Sequence, residues 1–386
     1  MKKHIIIASH SYSAYYNIIK PLVPHLIKND FHITFVHLNN LSSKIKTVND
    51  LYVTQIDFST ISTNDFLNYL NEKKPTHVFC LEFTSLFIIS LIRILCTFNV
   101  KSIYFEHGIF IEGHGDKFLI KNLKESLYRY LKVSFIYCKY IIATKLSFFL
   151  ELKFSYKAFF KRDYTGLFES GLFYSERGYK LVESKMKIPS SNIYYSGYPV
   201  TMFADDLNEL KQIKESEKNE VLYIHQPLIA DGISKINYVD EIKLLSQIDK
   251  VCREYDLILT IKLHPRADLD FYKSQSKHLN FTKDELFILL RKTKIIIGQF
   301  STAIFNGYVL NIPVILYPYP DLYEMYYKTF LPYSYISKDE NTFRNVLKKI
   351  KESKFENTNL NASEIIGDYN TFQKQAEIIN IITKNK

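Results

Sequence analysis

The amino-acid sequence predicts an α/β protein built as two Rossmann-like halves in tandem, each a mostly parallel sheet covered by helices. Three observations carry this. Short apolar runs alternate with longer amphipathic ones through the first half, the pattern of parallel strands joined by helical crossovers. A second alternating series opens at Glu220-Val221-Leu222-Tyr223-Ile224 and runs almost to the end. The chain has 386 residues, more than one core usually spans, so two domains of roughly 200 residues are expected.

In order, strands are expected over His4–Ala8, His32–His37, Leu51–Ile56, His77–Leu81, Ser102–Phe105 and Tyr140–Ala143. Between them, helical patterns cover Tyr15–Lys28, Asn64–Glu72, Ser85–Thr97 and Lys121–Val133. A strand near Phe168, a helix from about Ser175 and a short strand closed by Gly197-Tyr198-Pro199 complete the first sheet. The second series continues through a helix over Asp240–Glu254, a strand ending at His264, a helix near Asp284–Arg291 and a strand over Lys294–Ile297. It then gives a helix from Thr302, the strand Val314–Tyr317, and helices over Asn341–Glu352 and Tyr369–Thr383. The domain boundaries read 1–204 for the first domain, 205–219 for a polar linker or interdomain helix, and 220–386 for the second domain, whose last helix can return to the first.

Composition narrows the class. Hydrophobic residues make up 47% of the chain, which suits a globular protein and argues against disorder. The four cysteines (Cys80, Cys96, Cys138 and Cys252) form no metal-binding cluster, so no metal is expected and reduced thiols in the cytoplasm are the simplest account. The N-terminal run is too short for a signal sequence and reads as a first buried strand. Arg93 and polar residues interrupt the longest apolar stretch, Phe83–Val100, which reads as a buried helix rather than a membrane span. Between Lys117 and Arg162 stand eleven Lys or Arg against two acids, a local balance of +9 in a chain whose total is +10. The excess positive charge therefore belongs largely to one segment, which includes Lys121, Lys124, Arg129 and Lys132.

Neither G-x-G-x-x-G nor G-x-x-x-x-G-K-[ST] occurs, so dehydrogenase and P-loop readings are poor. Tandem halves of this kind suggest the GT-B architecture of many glycosyltransferases, two parallel sheets facing across a cleft. His264 ends an apolar run and is followed by Pro265, while Gly298-Gln299-Phe300-Ser301-Thr302 follows the next strand. In open α/β sheets ligands collect at carboxyl ends of strands, and a Gly/Ser/Thr turn entering a helix aims N–H groups and hydroxyls at an anion. These residues make a phosphate site, with His225 a secondary ligand candidate. Asp268-Leu269-Asp270 has the letters of a metal motif but reads as a polar turn or helix cap. In the first half, Glu106-His107-Gly108 follows a strand and Glu112-Gly113 lies just beyond. A buried carboxyl there has a raised pKa and can act as a general base. Glu106 is favoured because it directly terminates the strand, with Glu112 and His107 as alternatives.

Lys262-Leu263-His264-Pro265-Arg266 resembles the His-Pro motif of bacterial sialyltransferases of the capsular polysialyltransferase and lipooligosaccharide sialyltransferase type. Ser301-Thr302 resembles their Ser-Ser/Ser-Thr motif, and Ile224-His225-Gln226-Pro227-Leu228 the strand opening their second domain. The similarity is clearest over residues 220–320. It implies GT-B and metal-independent, inverting transfer from CMP-sialic acid to a hydroxyl of an acidic or neutral surface glycan, with no cofactor. It also implies that His264 assists departure of CMP, that Ser301 and Thr302 bind its phosphate, and that Gln226, Lys262, Pro265 and Gly298 complete the donor site. The family's acidic first-domain motif supplies the base. Its nearest match is Glu106-His107-Gly108, where His107 replaces a second acid.

Two other readings are kept. One is a teichoic-acid-type transferase with a CDP-glycerol or CDP-ribitol donor, which resembles this pattern in its His-Gly loop and strand-end histidine. The other is a non-catalytic module that binds acidic glycan or membrane through the basic segment. That segment suits an anionic polymer or the inner face of the bacterial inner membrane, consistent with a cytoplasmic, peripheral protein. No nucleic-acid motif accompanies it.

Overall fold

The computed structural model describes residues 3–9, 18–38, 52–107, 123–199, 204–214, 218–299, 301–324, 335–352, 364, 367 and 372–384. They fall into two compact units. The described residues within 1–110, 123–201 and 366–386 form unit 1, and those within 202–365 form unit 2.

Unit 1 holds seven strands: β1 Lys3–Ser9, β2 Phe31–His37, β3 Val53–Asp57, β4 His77–Cys80, β5 Lys101–Phe105, β6 Ser170–Phe173 and β7 Ile193–Tyr195. They run in the order β3-β2-β1-β4-β5-β6-β7, and every pairing is parallel. The direction of winding reverses between β1 and β4, the place where such sheets open a ligand crevice. Ile5, Ile6, Ile7 and Ala8 are all buried, as expected of a central strand covered on both faces. Helix Leu86–Cys96 is the buried helix read from the sequence, with Ile88, Ile89, Leu91 and Ile92 in the core. The last helix, Phe372–Ile382, packs on helix Lys20–Lys28 and places Phe372, Ala376 and Ile379 in the unit 1 core. Gly367, at φ +64°, opens that return; a Cβ there would lie 2.2 Å from the carbonyl oxygen of Tyr174, so only glycine fits.

One predicted element is wrong. Tyr140–Ala143, expected as a strand, is the last turn of a 21-residue helix, Leu123–Ala143. The physical reason is a helical period: Val133, Tyr137, Tyr140 and Ile141 are buried at spacings of four, three and one, so they share one helix face. A short apolar run carries no period of its own, and the helix before it decides.

Unit 2 holds β8 Glu220–Ile224, β9 Ile258–Lys262, β10 Asn280–Thr282, β11 Thr293–Gly298, β12 Val314–Leu316 and β13 Tyr335–Ile336. Their order is β10-β9-β8-β11-β12-β13, again all parallel, and here the winding reverses between β8 and β11. The strand before His264 stops at Lys262, so the imidazole sits in the loop two residues past the ladder. Asp268, read as a polar turn or helix cap, does cap helix Leu269–Gln275 by accepting from the N–H groups of Asp270 and Phe271, whereas β10 was not expected. The polar stretch read as a linker or interdomain helix contains helix Ala204–Gln212. Among the described residues no helix is long and apolar enough to cross a membrane.

Candidate functional site

In unit 2 the predicted donor residues gather at the carboxyl ends of three adjacent strands. β8 leads into His225 and Gln226, β9 into His264 and Pro265, and β11 ends at Gly298 before Ser301. Burial lowers the pKa of His264 to about 4, helped by the charges of Arg266 and Lys262 and by His225, and opposed by Asp231. The ring is therefore neutral at pH 7. Its Nδ1 accepts the Arg266 N–H at 3.2 Å, so the hydrogen of the neutral ring resides on Nε2. His264 thus offers an uncharged hydrogen-bond donor.

Its surroundings are braced. Both terminal guanidinium nitrogens of Arg266 donate to Asp231, at 3.0 and 2.8 Å, tying the β9 loop to the β8 loop. Asp321, after β12, accepts from Ser234 Oγ at 2.8 Å and from the Lys235 N–H at 2.9 Å. Ser301 Oγ accepts the Ala303 N–H at 3.2 Å and starts the 3-10 turn Thr302–Ile304. Gly298 lies close under that turn: a Cβ there would meet Ile304 Cγ2 at 3.1 Å. The side chain of Thr302, and Phe300, lie outside the described residues. Lys262 turns its ammonium onto the Asp284 carbonyl, and Pro265 is exposed with its carbonyl held by Lys283 at 3.2 Å. Lys262 and Pro265 are thus directed at the β10 side.

Sequence reasoning missed what lies beneath. His225 is buried, and its Nδ1 accepts the His264 N–H at 3.4 Å. Its Nε2 faces Tyr272 Oη at 3.0 Å and Glu241 Oε1 at 3.3 Å. The carboxylate of Glu241 also accepts from Tyr272 Oη at 2.8 Å and from Tyr319 Oη. Gln299 joins the group by donating to Tyr223 Oη and accepting the Tyr319 N–H, both at 2.8 Å. A buried, connected polar network therefore fixes the β8, β9 and β12 ends against one another. The signal was present: Glu241 takes the core position four residues before Leu245 on the buried face of helix Tyr238–Glu254.

In unit 1, Glu106 follows β5 and is only 2% exposed. Burial raises its pKa from 4.5 to about 8, against the Tyr174 N–H, which reaches Oε2 at 2.6 Å and favours the charged form. Gly178 faces it so closely that a Cβ would lie 2.7 Å from both carboxyl oxygens. Glu82, after β4, is partly exposed at the winding reversal, where Ser9 Oγ donates to its Oε1 at 2.8 Å. This second strand-end acid went unnoticed because it sits inside the apolar stretch Phe79–Phe87. His107 is partly exposed beside Glu106. Glu112 and Lys121 lie outside the described residues, as do the side chains of Lys124 and Arg129; Lys132 is half-buried on helix Leu123–Ala143. Among the described residues no group of three or more His, Cys, Asp or Glu is placed to hold a metal ion.

The raised pKa has a consequence for stability. Between pH 4.5 and about 8 folded Glu106 holds a proton that the unfolded chain has lost, so stability falls as pH rises across that window. Glu106→Gln removes the group. The variant is expected to lose this slope and to gain on the order of 4 kcal/mol over the parent at pH 9, with little change at pH 4. Urea titrations at the two pH values check it.

No family model matches the chain, and no curated protein does. Solved structures do. The wall teichoic acid polymerase TagF, in a form soaked with CDPG, superposes with a TM-score of 0.54 at 13% identity over 100% of this chain and 88% of that one. The glycotransferase of kitacinnamycin gives 0.59 at 10% identity, covering 99% of this chain and 100% of its own. WaaG, a glycosyltransferase involved in lipopolysaccharide biosynthesis, gives 0.54 at 9% identity with 99% and 100% coverage. At such identities the likeness concerns the fold, which is α/β of the GT-B type.

Proposed function

We propose that this protein is a glycosyltransferase that uses a cytidine-nucleotide donor, with CMP-sialic acid, or a related CMP-nonulosonic acid, the leading candidate. The observation that carries the reading is the Nδ1 of His264 accepting the Arg266 N–H, which leaves a neutral ring to donate from Nε2 at the carboxyl end of β9, on the same edge of the unit 2 sheet as the end of β11 that precedes Ser301. A hydrogen-bond donor aimed where negative charge develops stabilises a departing phosphate without a metal. Support comes from the His-Pro and Ser-Thr sequence resemblance falling on these strand ends, and from a fold found in glycosyltransferases.

In this reading His264 donates to the phosphate of CMP as the bond to the sugar breaks, and the Ser301 hydroxyl and the N–H groups of its turn hold the remaining oxygens. Glu106 takes the proton of the acceptor hydroxyl. Its pKa near 8 suits a base, and kcat/KM is expected to rise with pH through about 8. That limb disappears in Glu106→Gln. Glu82 is the second reading for the base, favoured by its more open position at the β1/β4 reversal. Survival of the limb in Glu106→Gln and its loss in Glu82→Gln would assign the role to Glu82.

A second donor reading is a CDP-polyol transferase. The fold likeness to TagF, soaked with CDPG, and the strand-end histidines favour it. Isothermal titration with CMP, CDP and UMP in EDTA tests the common core, and turnover with CMP-sialic acid and CDP-glycerol side by side separates the branches. Cytidine nucleotides are expected to bind in EDTA and UMP to bind more weakly. Absence of binding by all three would remove the transferase reading.

A further inference from the structure

Two helices of unit 1 expose large apolar side chains in rows. On Leu123–Ala143 the exposed residues Leu127, Tyr128, Leu131, Phe135 and Ile142 fall within a stripe about 100° wide at the helical period. Phe135 is 62% exposed and Ile142 79%. On Phe148–Phe160 the row is Phe149, Leu152, Tyr156 and Phe160, with Phe149 81% exposed. The opposite faces, through Val133, Tyr137, Tyr140, Ile141 and Ala158, join the core around helix Leu86–Cys96. Both rows are therefore turned outward by packing.

Cations border the rows. Lys139 Nζ lies 4.5 Å from the centre of the Phe135 ring, and Lys132 shares its flank. Lys153 and Lys157 flank the second row, and Lys145 stands in the short link between the helices. The acid of the second helix is withdrawn: Glu151 is buried and bonded by Arg93 and by Tyr137 Oη. Among the described side chains of the two helices, the charged groups that remain outside are basic. A soluble monomer rarely carries so extended an exposed apolar face.

We infer that this helix pair is a docking surface for an anionic lipid bilayer, entering the headgroup boundary with its aromatic and leucine rows while the lysines meet the lipid phosphates. Aromatic and aliphatic rows flanked by Lys are the composition of interfacial helices, and long Lys side chains reach the headgroup level from an inserted backbone. A two-fold contact with a second copy would set lysine rows against lysine rows, a like-charge arrangement that association disfavours. A soluble polyanion would satisfy the lysines and leave the apolar rows in water.

The test is sedimentation with phosphatidylcholine vesicles with and without phosphatidylglycerol, and it requires no turnover. The protein is expected to sediment with phosphatidylglycerol vesicles and to be released at about 0.5 M salt. Phe135→Ser/Phe149→Ser and Lys153→Glu/Lys157→Glu should each weaken partitioning at least about tenfold, with unchanged melting curves because the sites are exposed. Three results overturn the inference. The parent protein stays in the supernatant; or the charge variant alone loses binding while heparin binds equally well, which assigns the surface to a polyanion; or the parent self-associates and Phe135→Ser/Phe149→Ser is monomeric.

Discussion

Replacing His264 with alanine is expected to lower kcat/KM by about 10²–10³-fold, the range lost with one preorganised donor to developing charge. The more telling variant is His264→Gln. A neutral imidazole works by donating from Nε2, and a glutamine amide can donate from a similar reach, so activity should recover to within about tenfold of the parent. A charged imidazolium could not be replaced in this way. The pH profile reads the same distinction. With a pKa near 4, His264 stays neutral through the physiological range, and activity should show no loss of an acidic group near pH 6.5. A profile that climbs as pH falls from 7 to 5, with an inactive glutamine variant, would make His264 a proton donor rather than a dipole.

The strand-end position of His264 was legible because a polar residue closing a run of Leu, Ile and Thr marks the point where a buried parallel strand leaves its sheet. Most strands were legible for the same reason: β1, β2, β8 and β11 are short Ile, Val and Phe runs with polar borders. Two things were not. The turn Tyr140–Ala143 looks like a strand when cut from its helix, since only the spacing back to Val133 and Tyr137 reveals the period. The partners of Glu241 are the second: its spacing to Leu245 marks the buried face, but an acid in the first turn of a helix, where the dipole favours one, names no partner. Its partners Tyr272 and Tyr319 lie 31 and 78 residues away, and no local pattern joins them. Buried polar networks are set by topology, so they surface only once the strand order is known. The same holds for Arg93, which interrupts an apolar helix for a reason found 58 residues later.

That reason makes Arg93→Ala the substitution with the largest expected cost in stability. Arg93 reaches Glu151 through Nε at 2.9 Å and one terminal nitrogen at 2.6 Å, and Tyr137 Oη donates to the same carboxylate. Three helices thus meet on one buried acid. Burial alone would raise the pKa of Glu151; the bonds from Arg93 and Tyr137 outweigh it, and the net shift is downward. A depressed carboxyl stabilises the fold at neutral pH, and that contribution fades as pH falls through its folded pKa. Without Arg93 the carboxylate is left buried and unpaired, a change that costs about 3–5 kcal/mol. The sign of the pH dependence should then reverse, because burial now dominates and stability improves as Glu151 takes a proton in acid. Denaturation at pH 7 and pH 5 reads both effects. Arg93→Met with Glu151→Leu, which removes both charges, should recover most of the loss. Since Glu151 and Tyr137 lie on the two helices that present the apolar rows, Arg93→Ala should also weaken vesicle partitioning, and the double variant should restore it. A stable Arg93→Ala protein with an unchanged pH slope would show that the helices are held by their apolar faces alone.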